Sequence, residues 1–302
     1  MSTGPSKTVL ITGARGFLGA ALLDFLRGEK TVAVRGIGRD VCDLRRPGAV
    51  KDILQKARPA YIFHFAGGRL ADDQDTFNAN FITTKNVLEA VQGLPPHQRP
   101  RVIIPGSAAE YGNIQGRKLI TEHCLPKPLG WYGFVKLLQT DLGLFYARQG
   151  LDVVVLRMFN ICGAATPASL AMGGFARQIV AIERGSEPMI RTKNLDGKRD
   201  FLDIEDICRG LWAAARRGRS GEVYNLCSGH PVTIRQLFNA MLKHAKVKNI
   251  RVQENKQDSS LSFDVIGSNA KFRAVAPWSQ RVAIAQSLKN TLDSYRRRPL
   301  AS

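Results

Sequence analysis

Residues 8–12 are a short run of β-branched and apolar side chains, followed at once by Gly13-Ala14-Arg15-Gly16-Phe17-Leu18-Gly19 and then by helical periodicity over 17–27. A strand that passes through three glycines into a helix is a demanding arrangement. Gly13 would make the tight turn, Gly16 would let a pyrophosphate approach the backbone, and Gly19 would let the helix pack closely on the sheet. The helix N-terminus then points its unpaired N–H groups at the phosphates. Because a strand precedes the glycines and a helix follows them, a dinucleotide site rather than a plain turn is the reading carried forward.

The same alternation continues. Further strands are expected at 31–37, 61–66, 101–105 and 152–158, the last almost wholly apolar, as a strand buried on both faces should be. Helical stretches at 47–57, 75–91 and 132–148 fall between them. This order predicts βαβ units, hence an α/β fold with a doubly wound parallel sheet. Beyond residue 160 the chain turns rich in small residues, then basic, with helices expected at 175–184, 233–245 and 280–295 and a strand at 222–227. We divide it into a dinucleotide-binding part, 1–160, and a small interleaved substrate-binding subdomain, 161–302, with 200–230 returning to the main sheet.

Composition narrows the function. Of 302 residues, 44% are hydrophobic, ample for a buried core. No apolar run approaches the roughly 18 residues of a membrane span, and residues 1–7 lack an apolar signal core, so a cytoplasmic protein without membrane association is expected. The five cysteines are never spaced CxxC and the five histidines form no ligand pair. A disulfide scaffold and a metal site are therefore not expected. The 44 Lys and Arg outnumber the 25 Asp and Glu, a net charge of +19. The positive residues are dispersed, which favours small polyanionic substrates over nucleic acid. Their densest run, Arg296-Arg297-Arg298, reads as a solvated tail.

Three more motifs carry chemistry. Arg35 and Arg39 stand at the end of the second strand, where an arginine suits an adenosine 2′-phosphate and an acid a 2′-hydroxyl. They favour NADP as cofactor, and Asp40 keeps NAD open. Asp43-Leu44 could contact adenine or cap the helix at Pro47. Tyr132-Gly133-Phe134-Val135-Lys136 puts a phenol and an ammonium on one helix face, where the cation would ease formation of phenolate, and Lys136 could also hold the nicotinamide ribose. Ser107, in Pro105-Gly106-Ser107-Ala108-Ala109-Glu110-Tyr111-Gly112, sits at the carboxyl end of a strand, where open α/β sheets place ligands.

In this order the pieces resemble the extended short-chain dehydrogenase/reductase superfamily, whose Rossmann-fold members act largely on nucleotide-linked sugars. Further similar stretches are His64-Phe65-Ala66, Asn80-Phe81-Ile82-Thr83-Thr84-Lys85, Leu156-Arg157-Met158-Phe159-Asn160 and Arg199-Asp200-Phe201-Leu202-Asp203. The second half is most similar to the branch of GDP-mannose 4,6-dehydratases and GDP-4-keto-6-deoxy-mannose reductases. The resemblance implies a catalytic trio of Ser107, Tyr132 and Lys136. It implies a cofactor site at Gly13, Gly16, Phe17, Leu18, Gly19, Arg39, Asp43, Leu44, Ala66 and Lys136. Ser107, Asn160, Arg191 and Arg199 would hold a nucleotide-sugar substrate, the arginines gripping its diphosphate. It further implies a homodimer through the helices at 75–91 and 132–148. Two departures matter: the glutamate of the dehydratases is replaced by Ala109, with Glu110 one place later, and Gly67-Gly68-Arg69-Leu70 replaces a serine-containing segment. The first disfavours dehydration, so ketone reduction is the expected reaction, with an epimerase, a GDP-mannose 4,6-dehydratase or a non-catalytic dinucleotide- or nucleic-acid-binding protein as the alternatives.

Overall fold

In a computed structural model that describes residues 7–114, 119–257 and 264–298, strands and helices alternate through the first half. They are β1 (Lys7–Thr12), α1 (Phe17–Arg27), β2 (Val32–Ile37), α2 (Pro47–Ala57), β3 (Tyr61–His64), α3 (Asp73–Phe77), α4 (Thr83–Gln92), β4 (Arg101–Ser107), α5 (Trp131–Arg148) and β5 (Val153–Met158). The second half adds β6 (Asn160–Cys162), α6 (Ala171–Glu183), β7 (Met189–Lys193), β8 (Lys198–Asp203), α7 (Ile204–Arg217) and β9 (Glu222–Leu226). It ends with β10 (Pro231–Thr233), α8 (Ile234–Leu242), β11 (Arg251–Asn255), α9 (Ala270–Val275) and α10 (Ile284–Arg296).

Six parallel strands make the central sheet in the order β2-β1-β3-β4-β5-β9. The expected doubly wound sheet is what forms, because successive side chains alternate between two covered faces. Val9, Ile11, Phe63, Ile103 and Leu156 pack on one side against α1 and α7. Leu10, Ile62, Val102, Ile104 and Val155 pack on the other, where α2, α4 and α5 lie. The winding direction reverses between β1 and β3, so a crevice opens beyond their carboxyl ends. A third core, built on Phe175, Ile179, Phe238, Leu288 and Leu292, joins α6, α8 and α10. No helix among the described residues is long and apolar enough to cross a membrane.

Four local expectations are corrected. The helix at 75–91 is broken: α3 and α4 are separated by a π-helical turn, Asn78–Ile82. Asn80 is buried there and its amide donates to Thr76 O and Gly68 O, reaching outside the helix. Residues 204–217, given no helix from sequence, form α7, capped by Asp203 accepting from the Glu205 N–H at 2.8 Å. Of 200–230, β9 joins the main sheet, but β8 pairs with β6 and β10 instead. The arginine run is not a free tail, since Arg296 ends α10 with its guanidinium on Glu183 at 2.6 Å and on the His244 carbonyl.

His64, fully buried at the end of β3, lies between the Thr12 and Thr83 hydroxyls at 3.0 and 3.3 Å. Burial, then the charge of Lys136, pushes its pKa down from 6.5 to about 3. The unfolded chain therefore takes up this proton first as pH falls, and stability is lost through that window. The contribution is complete above about pH 6.5 and falls by about 2 kcal/mol by about pH 5. In urea titrations across that range, His64→Gln should show a correspondingly flatter loss; equal slopes in both proteins would refute the assignment.

Candidate active site

The glycine turn has the tight geometry its spacing implies at Gly13 and Gly19. Gly13 has φ +65°, and a Cβ there would lie 2.5 Å from the Phe65 carbonyl oxygen. A Cβ at Gly19 would come within 2.3 Å of the Gly13 carbonyl, so α1 packs directly on the turn. No side chain caps α1, whose N-cap is Gly16, and its first N–H groups face the turn. Phe17 and Leu18 turn their side chains into the core, so only their backbone is placed for a ligand.

Beside the turn lies a cavity of about 250 Å³ whose lining includes Gly13, Arg39, Asp43, Leu44, Ala66 and Thr83. Ile37, Gly38 and Asn78 also reach it and were missed from sequence. Their proximity depends on the fold rather than on any motif. Arg39 has no ion-pair partner among the described residues, whereas the Asp40 carboxylate is held by Arg15 at 2.6 Å. Asp43 does not cap α2, whose N-cap is Arg46. Instead Arg45 grips its carboxylate in a fork at 3.0 and 2.7 Å, which holds its pKa down to about 2. Free helical N–H groups, a glycine cradle and an uncommitted guanidinium fit a dinucleotide with a phosphorylated ribose.

A second cavity, of about 660 Å³, begins at the carboxyl end of β4. Ser107, Tyr132, Asn160 and Arg199 all line it, drawn from β4, α5, β6 and β8. Arg191 does not: it lies on β7 with its side chain exposed, and its nearest acid is Glu187 at 3.9 Å. The Asn160 amide donates to the Asp200 carbonyl at 2.9 Å. Met172, Phe201, Leu129 and Arg69 also form the walls and were not identified from sequence as site residues. Periodicity marks Met172 and Phe201 as buried but does not say against what, and Arg69 and Leu129 are exposed loop residues that only the fold brings to the wall.

Ser107 ends β4 and caps a 3₁₀ turn, its hydroxyl accepting from the Ala109 N–H at 3.2 Å. Tyr132 enters from the first turn of α5. Burial raises its pKa, while a hydrogen bond with Ser107 and the charge of Arg69 pull it back and Glu110 raises it further. The Lys136 ammonium is buried under the cavity and donates to Pro105 O and Gln139 Oε1. Burial lowers its pKa to about 8, with Glu110 opposing. Gln139 is itself fixed by donating to Thr84 Oγ1 at 2.7 Å and to Asn80 O at 3.2 Å in the π turn.

Glu110 is completely buried and does not face the cavity's substrate space. It accepts from the Ser107 N–H at 2.7 Å, Thr140 Oγ1 at 3.0 Å and Arg157 Nε at 2.6 Å. Burial pushes its carboxyl up and Arg157 draws it back. The position two residues after Ser107 is Ala109, which has no group to abstract a proton.

Residues 9–227 match the model of the NAD dependent epimerase/dehydratase family. The chain is 28% identical over 302 residues to GDP-6-deoxy-D-mannose reductase of Pseudomonas aeruginosa, covering 97% of this chain and 98% of that one. It is 26% identical over 305 residues to GDP-6-deoxy-D-talose 4-dehydrogenase of Aggregatibacter actinomycetemcomitans, covering 94% and 98%. The structure of RMD from Pseudomonas aeruginosa complexed with NADPH superposes with a TM-score of 0.87 at 26% identity, over 96% of this chain and 99% of that one.

Proposed function

Because the chain belongs to the NAD dependent epimerase/dehydratase family, we propose that it reduces the C4 ketone of a nucleotide-linked 4-keto-6-deoxyhexose, GDP-4-keto-6-deoxy-mannose foremost, with NADPH. The observation that carries this reading is the convergence of Ser107 and Tyr132 with Asn160 and Arg199 on one cavity. Ala109 in the wall and Glu110 in the buried ion pair argue against a dehydratase. The relatives named above act on GDP-linked 6-deoxyhexoses, and the P. aeruginosa structure holds NADPH.

In this mechanism the bound dinucleotide supplies the hydride. The chain would hold it with the N–H groups of Gly16, Phe17 and Leu18, with Arg39 at the ribose phosphate, and with Asp43, Leu44 and Ala66 around the adenine side. Ser107 orients the ketone oxygen by donating its hydroxyl proton in a hydrogen bond. Tyr132 Oη–H gives its proton to the developing alkoxide, leaving phenolate to be reprotonated from solvent. Lys136, fixed through Pro105 and Gln139, holds positive charge beneath the reacting centre below about pH 8. Asn160 and Arg199 meet the nucleotide diphosphate; Arg191, on the far strand, would need a longer reach.

We assign residues 1–160 to the cofactor and 161–302 chiefly to the substrate. A cytoplasmic homodimer through α4 and α5 belongs to the same proposal: five free cysteines suit a reducing compartment, and Phe145 stands exposed on α5.

The test is NADPH oxidation with GDP-4-keto-6-deoxy-mannose, with NADH and a dTDP-4-keto-sugar as comparisons. Oxidation by NADPH with the GDP sugar, faster than with either comparison, is the expected result. No oxidation with any keto-sugar would overturn the reductase reading, since an epimerase shows no net turnover of cofactor.

A further inference from the structure

Arg69 and Tyr132 come from segments far apart in sequence and meet in the wall of the larger cavity. The Arg69 guanidinium carbon lies 5.1 Å from the centroid of the Tyr132 ring. The loop that presents Arg69 is built to do so. Gly67 and Gly68 both have positive φ, +131° and +137°. Asn80, buried in the π turn, grips Gly68 twice, accepting from its N–H at 3.0 Å and donating to its carbonyl at 2.8 Å. Just past Arg69, the Leu70 N–H donates to Thr76 Oγ1 at 3.0 Å. The backbone on either side of Arg69 is thus anchored to α3 and the π turn, while its side chain lies over the phenol.

We propose that Arg69 is the positioning residue for the Tyr132 phenol: its guanidinium faces the ring and stabilises the phenolate that remains once the proton has gone to the substrate alkoxide. Lys136 keeps its ammonium bound to Pro105 O and Gln139 Oε1, and Arg69 adds a cation on the face of the Tyr132 ring. Ser107 from the end of β4 and the charge of Arg69, from the loop after β3, favour the phenolate, and buried Glu110 on the 3₁₀ turn opposes it. Arg69 is the cation that lies over the ring, at 5.1 Å from its centroid. An opposite charge about 4–6 Å away stabilises an ionised group by about one pKa unit or more. The inference about catalysis rests on the reductase reading; the electrostatic coupling does not.

The experiment therefore has two parts. Ultraviolet titration of the phenol, taken as the difference between the wild type and Tyr132→Phe, is repeated with both proteins carrying Arg69→Met. The Tyr132 ionisation should move up by about one unit, with Arg69→Lys recovering part of the shift. In turnover, Arg69→Met should lower kcat about tenfold and carry the alkaline limb of the pH profile upward by the same unit. An unmoved titration with Arg69→Met, in protein whose melting temperature matches the wild type, overturns the coupling. A moved titration with an unmoved pH limb, and KM alone raised, overturns the catalytic role and makes Arg69 a substrate contact. If Arg69→Met does not fold, Arg69→Lys and Arg69→Gln are read in the same two assays. Absence of turnover in the wild type counts against the reductase reading, and the phenol titration still decides the coupling.

Discussion

Tyr132→Phe should lower kcat for keto-sugar reduction by about a thousandfold, within the range expected for loss of a positioned general acid. The phenol hydroxyl lies beside Ser107 in the wall of the cavity, and in the proposed mechanism it gives up its proton while Ser107 only orients the ketone. The substitution removes one oxygen and keeps the ring. The contact with Arg69 at 5.1 Å and the packing at the start of α5 therefore persist. NADPH affinity should be unchanged, because the cavity beside the glycine turn, proposed to hold the cofactor, is lined by other residues. Single-turnover reduction with bound NADPH, beside a direct measurement of NADPH binding, separates the two effects. Retention of kcat to within tenfold would remove Tyr132 from the role of proton donor.

Arg157→Met should destabilise the fold by about 3–5 kcal/mol, the cost of leaving a buried charge without its partner. Glu110 is entirely buried, and among the described residues Arg157 is its one charged hydrogen-bond partner, at 2.6 Å. The guanidinium also stacks on Tyr111 at 4.6 Å. Methionine replaces the stem of the side chain but neither its charge nor its donors. Glu110→Gln in the Arg157→Met background should recover part of the loss by removing the stranded carboxylate, as a double-mutant cycle in urea would read. A loss under about 1 kcal/mol for Arg157→Met would mean that the carboxyl is already neutral in the folded protein. Because Glu110 also receives the Ser107 N–H at 2.7 Å, the single variant should disturb catalysis as well as stability.

Much of this molecule was legible before any coordinates. The glycine turn, the alternation of apolar runs and helical stretches, and the Tyr132–Lys136 spacing depend on local rules: φ at Gly13, period-2 and period-3.6 burial, and side chains four apart on one helix. α7 was also legible in principle, from Asp203 as N-cap and Ile204, Ile207 and Leu211 at helical spacing. The break at Asn80 was not, because the residues that break the helix do so by bonding to Gly68 and Gln139, outside it.

What the sequence determined by itself is the strand and helix alternation behind the parallel sheet, the glycine turn between β1 and α1, and the placing of Tyr132 and Lys136 four apart on one helix. Each of these rests on interactions between residues near one another in the chain. Only the tertiary structure decided which cation stands by the phenol, that Glu110 is held by Arg157 away from the substrate space, and that Arg199 reaches the cavity while Arg191 does not. Charge acts through space, falling with distance and strengthening with burial. Its consequences depend on which distant segments the fold brings together, and spacing along the chain does not encode that.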